Sequence, residues 1–512
     1  VDYADPVIGP NYPIYATTAN ENFYFTTNTG VRKLDILTNQ PVFAGVPQGL
    51  GGPVTLIASV AGIVPAGQQV AYRVVWGYKD GNKNTILGPP SSRMIASNTT
   101  AGALDVQIQA DIPDLITTTN YFYQLYRSLP TPNSISPTDE LYLVDEVTLT
   151  LTDIINRFVV YEDHKTTTGA AIYTAPSQQG IEGSNYQPPL CKDITTYNQM
   201  NVYANIQTLQ FVEFTLSKSL ADGFGYVDIL GDTNTGSSDL TSLVNVNNVR
   251  VDQQIEHPTD ITLGTLVTNV VPPSTVNMNA AAIGTSVGTS IRFMDTISIG
   301  GEVYLGYDAN DFPNHKFKVT NSIEETCINL CNAINFASTT YSAYYLGIGQ
   351  TDIGKIVIQA NTFNTPFTVN SSYDGAFVNN IPIISTNDSF PHGLVVSKPN
   401  QPEAVPLSTL YRLGSAEFPI ERVLSLTDGL YVFKGDGTWR GVGFDPVNLV
   451  FRNIDNTTTI KGASTAVVFD GNIILHTDSG VSVCNQGGIT PISGPIKLTL
   501  QKLQGNTFNA VS

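Results

Sequence analysis

The sequence predicts a mainly β fold, a β-propeller interrupted by an inserted β-sandwich and by a second, α+β insertion. Three observations predict it. First, a phrase of turn, apolar strand, tight turn and second strand recurs. It runs from Asp428 to Trp439 and from Asp470 to Val481, with eight residues from Gly429 to Gly437 and eight from Asn472 to Gly480. Gly437 and Gly480 lie 43 residues apart, inside the roughly 40–45-residue period of four-stranded propeller blades. Second, the same phrase stands near the start, again with eight residues from Asn22 to Gly30. Third, a clean period-two alternation fills part of the long interval between them. A repeat at both ends of unrelated sequence implies blades separated by inserted domains.

Composition fits many short strands. The 512 residues suit about three domains, and 41% of them are apolar, enough for real cores. Charged residues make up 13%, about half the usual share; Gly, Thr, Asn and Ser fill the polar positions. There are 43 acidic and 25 basic residues, a formal net charge of −18. So acidic a surface does not hold phosphate backbones by charge, yet it suits a channel lining to which a passing polyanion must not stick. The four cysteines, Cys191, Cys327, Cys331 and Cys484, include no CxxC spacing and imply no disulfide framework, which points to folding in a reducing compartment. The opening Val1-Asp2-Tyr3 has no charged or apolar leader pattern, and no run reaches the roughly 18 apolar residues of a membrane helix. Without an initiator Met, the chain reads as a segment of a longer product.

In order along the chain, residues 1–52 hold the first blade part, closed by Pro41–Pro47, and Gly51-Gly52-Pro53 marks an insertion boundary. Residues 53–168 form the inserted sandwich. Val70, Tyr72, Val74, Trp76 and Tyr78 alternate on one face, as do Leu104, Val106, Ile108, Ala110 and Ile112. Strands at 121–127, 141–144 and 158–161 follow, with no helical pattern. The stretch Tyr121 to Ser128 resembles the late strand of a fibronectin type III or immunoglobulin-like domain. Residues 169–216 return to the propeller through a Gly/Ser/Gln/Pro-rich linker, Ala175 to Pro189. The strand phrase Asp193–Asn205 comes next, then a further strand at Phe211–Leu216. Residues 217–390 are the second insertion. Its Gly300-Gly301 pair signals a hairpin. Its one helix, about 322–335, opens on a Ser322/Glu325 capping box and carries Ile323, Cys327, Leu330, Cys331 and Ile334 on one face. Strands at Ser342–Leu346, Lys355–Ala360 and Pro366–Val369 pack on that face. Residues 391–512 hold the remaining blades.

No catalytic, cofactor-binding or metal residues are expected. His164, His257, His315, His392 and His476 form no i, i+4 pair and sit beside no cysteine at zinc spacing. His476 reads as a strand residue, and Cys327 and Cys331 read as helix core. Asp308, Asn310 and Asp311 look like a fragment of a calcium loop, but Pro313 and Val319 replace its glycine and glutamate. Asp436-Gly437-Thr438-Trp439 approaches the sialidase Asp-box, Ser-x-Asp-x-Gly-x-Thr-Trp, but is two residues shorter between Asp and Thr and has no repeat at Asp478. It reads as a hairpin with a packing Trp.

With blade phrases at both ends and two insertions, the chain resembles the tail nozzle proteins of short-tailed bacteriophages, the tail-tubular-protein-B type. The residues that carry the likeness are Asp193–Asn205, Ser322–Ile334, Gly393 to Glu403 and Arg422 to Ile496, about half the chain. The resemblance implies a structural virion protein, a ring of six copies at the distal end of the tail tube, forming the channel for DNA ejection. Its partners would be its own copies and the adaptor, tail-tube and tail-fibre proteins, with DNA passing an acidic lumen without specific binding. It implies no catalytic residues and no cofactor. The alternative is a glycan-binding or glycan-cleaving propeller used for host-surface recognition.

Overall fold

The computed structural model describes residues 14–34, 40–59, 61–138, 140–172, 185–347, 353–379 and 381–496. Most of the Ala175–Pro189 linker and both chain ends lie outside them. The chain is mainly β. Four antiparallel four-stranded sheets, each in simple up-and-down order, form its frame. The first spans Ala16–Ala19, Asn22–Thr27, Gly30–Leu34 and Pro41–Phe43. The second has Leu190–Tyr197, Met200–Gln207, Ser389–Val396 and Tyr411–Arg412. The third comprises Ile420–Leu426, Gly429–Lys434, Gly437–Val442 and Val450–Asp455. The fourth comprises Val467–Phe469, Asn472–Thr477, Gly480–Asn485 and Gly488–Pro491. All three phrases found in the sequence are therefore second-strand hairpins of such sheets.

The turn between the first two strands recurs with the same geometry. Asn20-Glu21, Asn198-Gln199 and Asp470-Gly471 all take positive φ at both turn positions, the left-handed pair that matches strand twist in a two-residue hairpin. The second strand then alternates between two cores, because successive side chains point to opposite faces. Tyr24 points forward from the first sheet and shares a core with Tyr203 and Ile194 of the second. Met200, Val202 and Ala204 point the other way, into a core with Leu430 and Val432 of the third. Tyr431 and Phe433 in turn face Ile473 and Leu475 of the fourth. The four sheets thus stack in series, each interface made by alternate residues of one strand.

Two excursions leave this frame. The first carries a seven-stranded and a three-stranded sheet that share one core around Trp76, Tyr72, Val106 and Ile108; Tyr123 meets the Trp76 ring edge-on at 5.7 Å. The expectation of no helix there fails for one short piece. Leu151–Asn156 is helical, with Thr150 and Asp153 in a reciprocal capping box. Six residues are too few to give a periodic signal, and its Leu151 and Ile155 are exposed.

The second excursion starts earlier than the expected residue 217. Phe211–Thr215 does form a strand, but it pairs with Lys355–Ala360 inside the excursion and not with the second frame sheet. The chain leaves that sheet after Gln207 and rejoins it at Ser389. Within the excursion are two units. Residues 226–294 enclose their own core around Leu240, Ile255, Val276 and Phe293. The other unit packs the helix Ile323–Ala337 against strands Tyr341–Tyr345 and Lys355–Ala360, burying Cys327, Leu330, Cys331 and Ile334. Only half of the capping box forms: the Ser322 hydroxyl accepts from the Glu325 N–H at 3.2 Å. The Ser322 N–H donates to Thr320 Oγ1 instead of to Glu325, because Thr320 lies closer along the chain. Gly300 and Gly301 both take positive φ and join Ile299 to Glu302 as a tight hairpin.

The excursions also meet each other. Phe158 of the first stacks on Phe336 of the helix at 6.2 Å, and Asn361 donates to Asp114 at 2.5 Å.

Candidate functional site

The most chemically loaded places in the molecule are buried charge clusters at junctions between units. Asp193, in the first strand of the second sheet, is almost completely enclosed. Its carboxylate accepts from Arg422 Nη1 at 2.6 Å and from the Val423 N–H at 2.5 Å, both on the third sheet, and from the Ile194 N–H at 2.8 Å. Burial lifts this carboxyl to about 7, against the opposing pull of Arg422 and the backbone donors. The Arg422 guanidinium also lies 4.3 Å from the centre of the Tyr15 ring. One ion pair therefore reaches three consecutive parts of the frame.

A second cluster ties the first sheet, the first excursion and the return loop of the second sheet. Lys33 Nζ is 2.7 Å from Glu403 and 3.6 Å from Asp80, all three side chains being buried. Glu403 also accepts from Tyr24 Oη at 2.9 Å and from the Gly45 N–H at 2.6 Å. Asp80 accepts from Asn22 and Asn84. Burial pushes the Asp80 carboxyl up, but those donors and Lys33 outweigh it and leave it below the usual range. The cavity beside the cluster holds about 40 Å³, enough room for water. In the second excursion Asp295 plays the same part, accepting from the Gly225 N–H, Gln253 and Arg250. These arrangements can fasten units together; their acids and bases already bond to each other.

The residues singled out in the sequence are dispersed. Asp436 accepts from the Ser415 N–H at 2.8 Å and pairs with buried Lys434 at 3.1 Å. Trp439 is half-buried against the core between the second and third sheets. Asp308 pairs with Arg292, Asn310 bonds Asn329 and the Lys318 N–H, and Asp311 bonds Asn314. His164 is exposed and raised in pKa by the Asp105 and Glu162 carboxylates; His315 stacks on Tyr304. His257 lies beside Asp260, and burial lowers the pKa of His392. His476 sits mid-strand, partly exposed, opposite Val481. The four cysteines are free and buried. Among the described residues no three His, Cys, Asp or Glu side chains converge as a metal site, and no helix is long and apolar enough to cross a membrane.

Sequence reading missed Asp193, Arg422 and the Lys33–Glu403–Asp80 cluster. The partners stand 229 residues apart in one case and 370 in the other. The signal available was local: Asp193 and Lys33 are each a charged residue inside a strand.

No known family and no curated protein matches the chain. Among solved structures, a phage phi92 endosialidase overlaps at a TM-score of 0.13 and 10% identity, over 86% of this chain and 54% of that chain. The extracellular domain of the putative one component system BT4673 from B. thetaiotaomicron overlaps at 0.14 and 10% identity, over 93% of this chain and 75% of that chain. The chain spans about half the length of the endosialidase. Overlaps this slight carry no argument about function.

Proposed function

We propose that the four frame sheets are blades of a propeller interrupted by two insertions, and that the chain is a structural virion protein. In this reading copies of it, six in number, form the nozzle ring at the distal end of a phage tail, through which DNA is ejected. The observation that carries the reading is the mode of assembly of the frame. Serial sheets fastened by buried ion pairs such as Asp193–Arg422 make a stiff scaffold, and the charged groups so engaged serve architecture. The −18 formal charge supports an inner surface that repels DNA and does not grip it. The excursions supply surface for adaptor, tail-tube and fibre proteins.

The Asp-box-like segment that the glycan reading would draw on has its acid engaged: Asp436 is bonded to Ser415 and Lys434. Purified protein imaged by electron microscopy tests the proposal: rings with an open centre are expected, together with no retardation of duplex DNA in a gel-shift at moderate salt. Release of reducing sugar from host polysaccharide would overturn it.

A further inference from the structure

The unit of residues 226–294 keeps part of one sheet edge open. Its three-stranded sheet has Ser286–Met294 in the middle, Gln254–Glu256 on one side and Tyr226–Thr233 on the other. Along Tyr226–Thr233 the side chains alternate. Ile229 enters the unit's core and Val227 packs against it, while Asp228 and Leu230 face outward and are exposed. The backbone alternates too, since in an antiparallel pair every second residue turns its N–H and C=O away from the partner strand. Leu230 is such a residue, because its carbonyl accepts from the N–H of Val244, which lies outside the sheet. The register runs without a shift from Tyr226 to Gly231, so Asp228, two residues earlier, points its N–H and C=O to the same side. Beyond Leu230 the edge is closed by mutual bonds between Asp232 and Thr241. Before it, the outward groups of Asp228 meet no backbone partner among the described residues.

A groove of about 270 Å³ runs along this stretch, lined by Val227 to Leu230 and by Val244, Asn245 and Asn248. Leu230 and Val244 are 52% and 76% exposed although their backbones are bonded to each other. An aliphatic pair therefore stands open at the groove's closed end. Native edges are commonly guarded by proline, lysine or a bulge; none of these stands between Tyr226 and Leu230. The single charge there, Asp228, is folded onto Arg292 by two bonds of 2.7 and 2.9 Å. Arg292 also pairs with Asp308, and Asp232 follows two positions past Leu230. Acids thus outnumber bases around the strand.

We propose that this edge takes up an extended peptide of a partner protein by strand addition. What fits an open edge is another extended backbone, whose own N–H and C=O exchange bonds with those of Asp228. The peptide side chain seated between Leu230 and Val244 is aliphatic, and the acids around the strand favour lysine or arginine next to it. The inference stands on this edge alone and does not draw on the ring reading.

The test uses the whole chain and a fluorescent synthetic peptide, Lys-Thr-Val-Thr-Val-Lys, blocked at both ends. Anisotropy reads binding, and hydrogen-exchange mass spectrometry reads where the chain becomes protected. Protection is expected in residues 226–230. Val244→Asp, at an exposed position, puts a charge in the groove. Asp228→Pro removes the outward N–H and leaves the ladder to Ser286–Met294 intact. Each is expected to weaken binding by about tenfold or more. Asp228→Asn loses the same ion pair but keeps the N–H, and is expected to weaken binding by only about threefold. Circular dichroism checks the folding of all three. The peptide with proline at both valines is expected not to bind. No anisotropy change up to about millimolar peptide would overturn the proposal. So would protection confined to other parts of the chain, or binding that Val244→Asp leaves unchanged. Ring formation is read separately in micrographs, so failure here leaves that reading standing.

Discussion

Arg422 of the third sheet donates to Asp193 of the second at 2.6 Å, across 229 residues of sequence. This pair fixes the angle between consecutive sheets while its acid is wholly removed from water. Deleting one partner of a buried pair strands the other, which costs about 3–5 kcal/mol. Arg422→Ala is therefore expected to lower unfolding free energy by that order. Asp193→Asn, which keeps acceptor shape without charge, should cost less. Urea titration of the two variants checks the order; equal and small effects would show that the pair does not fasten the sheets.

The Lys33 cluster allows a sharper comparison. Glu403→Leu alone removes the partner of Lys33, Tyr24 and the Gly45 N–H at once, so a loss of about 3–5 kcal/mol is expected. The double change Lys33→Met with Glu403→Leu leaves Asp80 held by Asn22 and Asn84. It should recover much of that loss, since apolar replacements of a buried pair are often close to neutral. A double-mutant cycle by denaturant unfolding reads the coupling.

The junction of the two excursions should respond to pH. Asp111 lies opposite Phe158 in the sheet register, and Phe158 stacks on the helix residue Phe336. Burial raises the Asp111 carboxyl to about 8 from 3.8, with Gln109 and Arg157 pulling weakly the other way. The folded chain then holds a proton that the unfolded chain has lost between those values. Its contribution to stability is complete below pH 3.8 and falls as pH rises to about 8, by up to about 1.4 kcal/mol per pH unit. Asp111→Asn should flatten this slope. Unfolding free energy measured from pH 5 to 9 checks it, and an unchanged slope in the variant would contradict it.

The half-formed cap on the long helix separates two substitutions that a full capping box would make alike. Ser322→Ala removes the acceptor for the Glu325 N–H and should cost about 1 kcal/mol. Glu325→Ala removes only a 3.9 Å approach to exposed Lys318 and should cost a few tenths of a kcal/mol. Thermal melts of both resolve the difference.

Local rules made much of the fold legible. The Gly300-Gly301 hairpin, the apolar stripe of the long helix and the three turn-strand phrases follow from φ preferences and side-chain periods, and the strands stand there. What failed was assignment of partners. Phe211–Thr215 reads as a strand from its own residues, but only the distant Lys355–Ala360 decides which sheet it joins. Glu325 lost its return bond because Thr320 competes for the same N–H. Asp193, Lys33 and Glu403 look unremarkable singly; their roles arise from pairings hundreds of residues apart.

Imaging the purified protein tests the proposed ring-building role most directly. Electron micrographs at rising concentration are expected to show closed rings with an open centre. Isolated single-chain particles at every concentration would contradict the account.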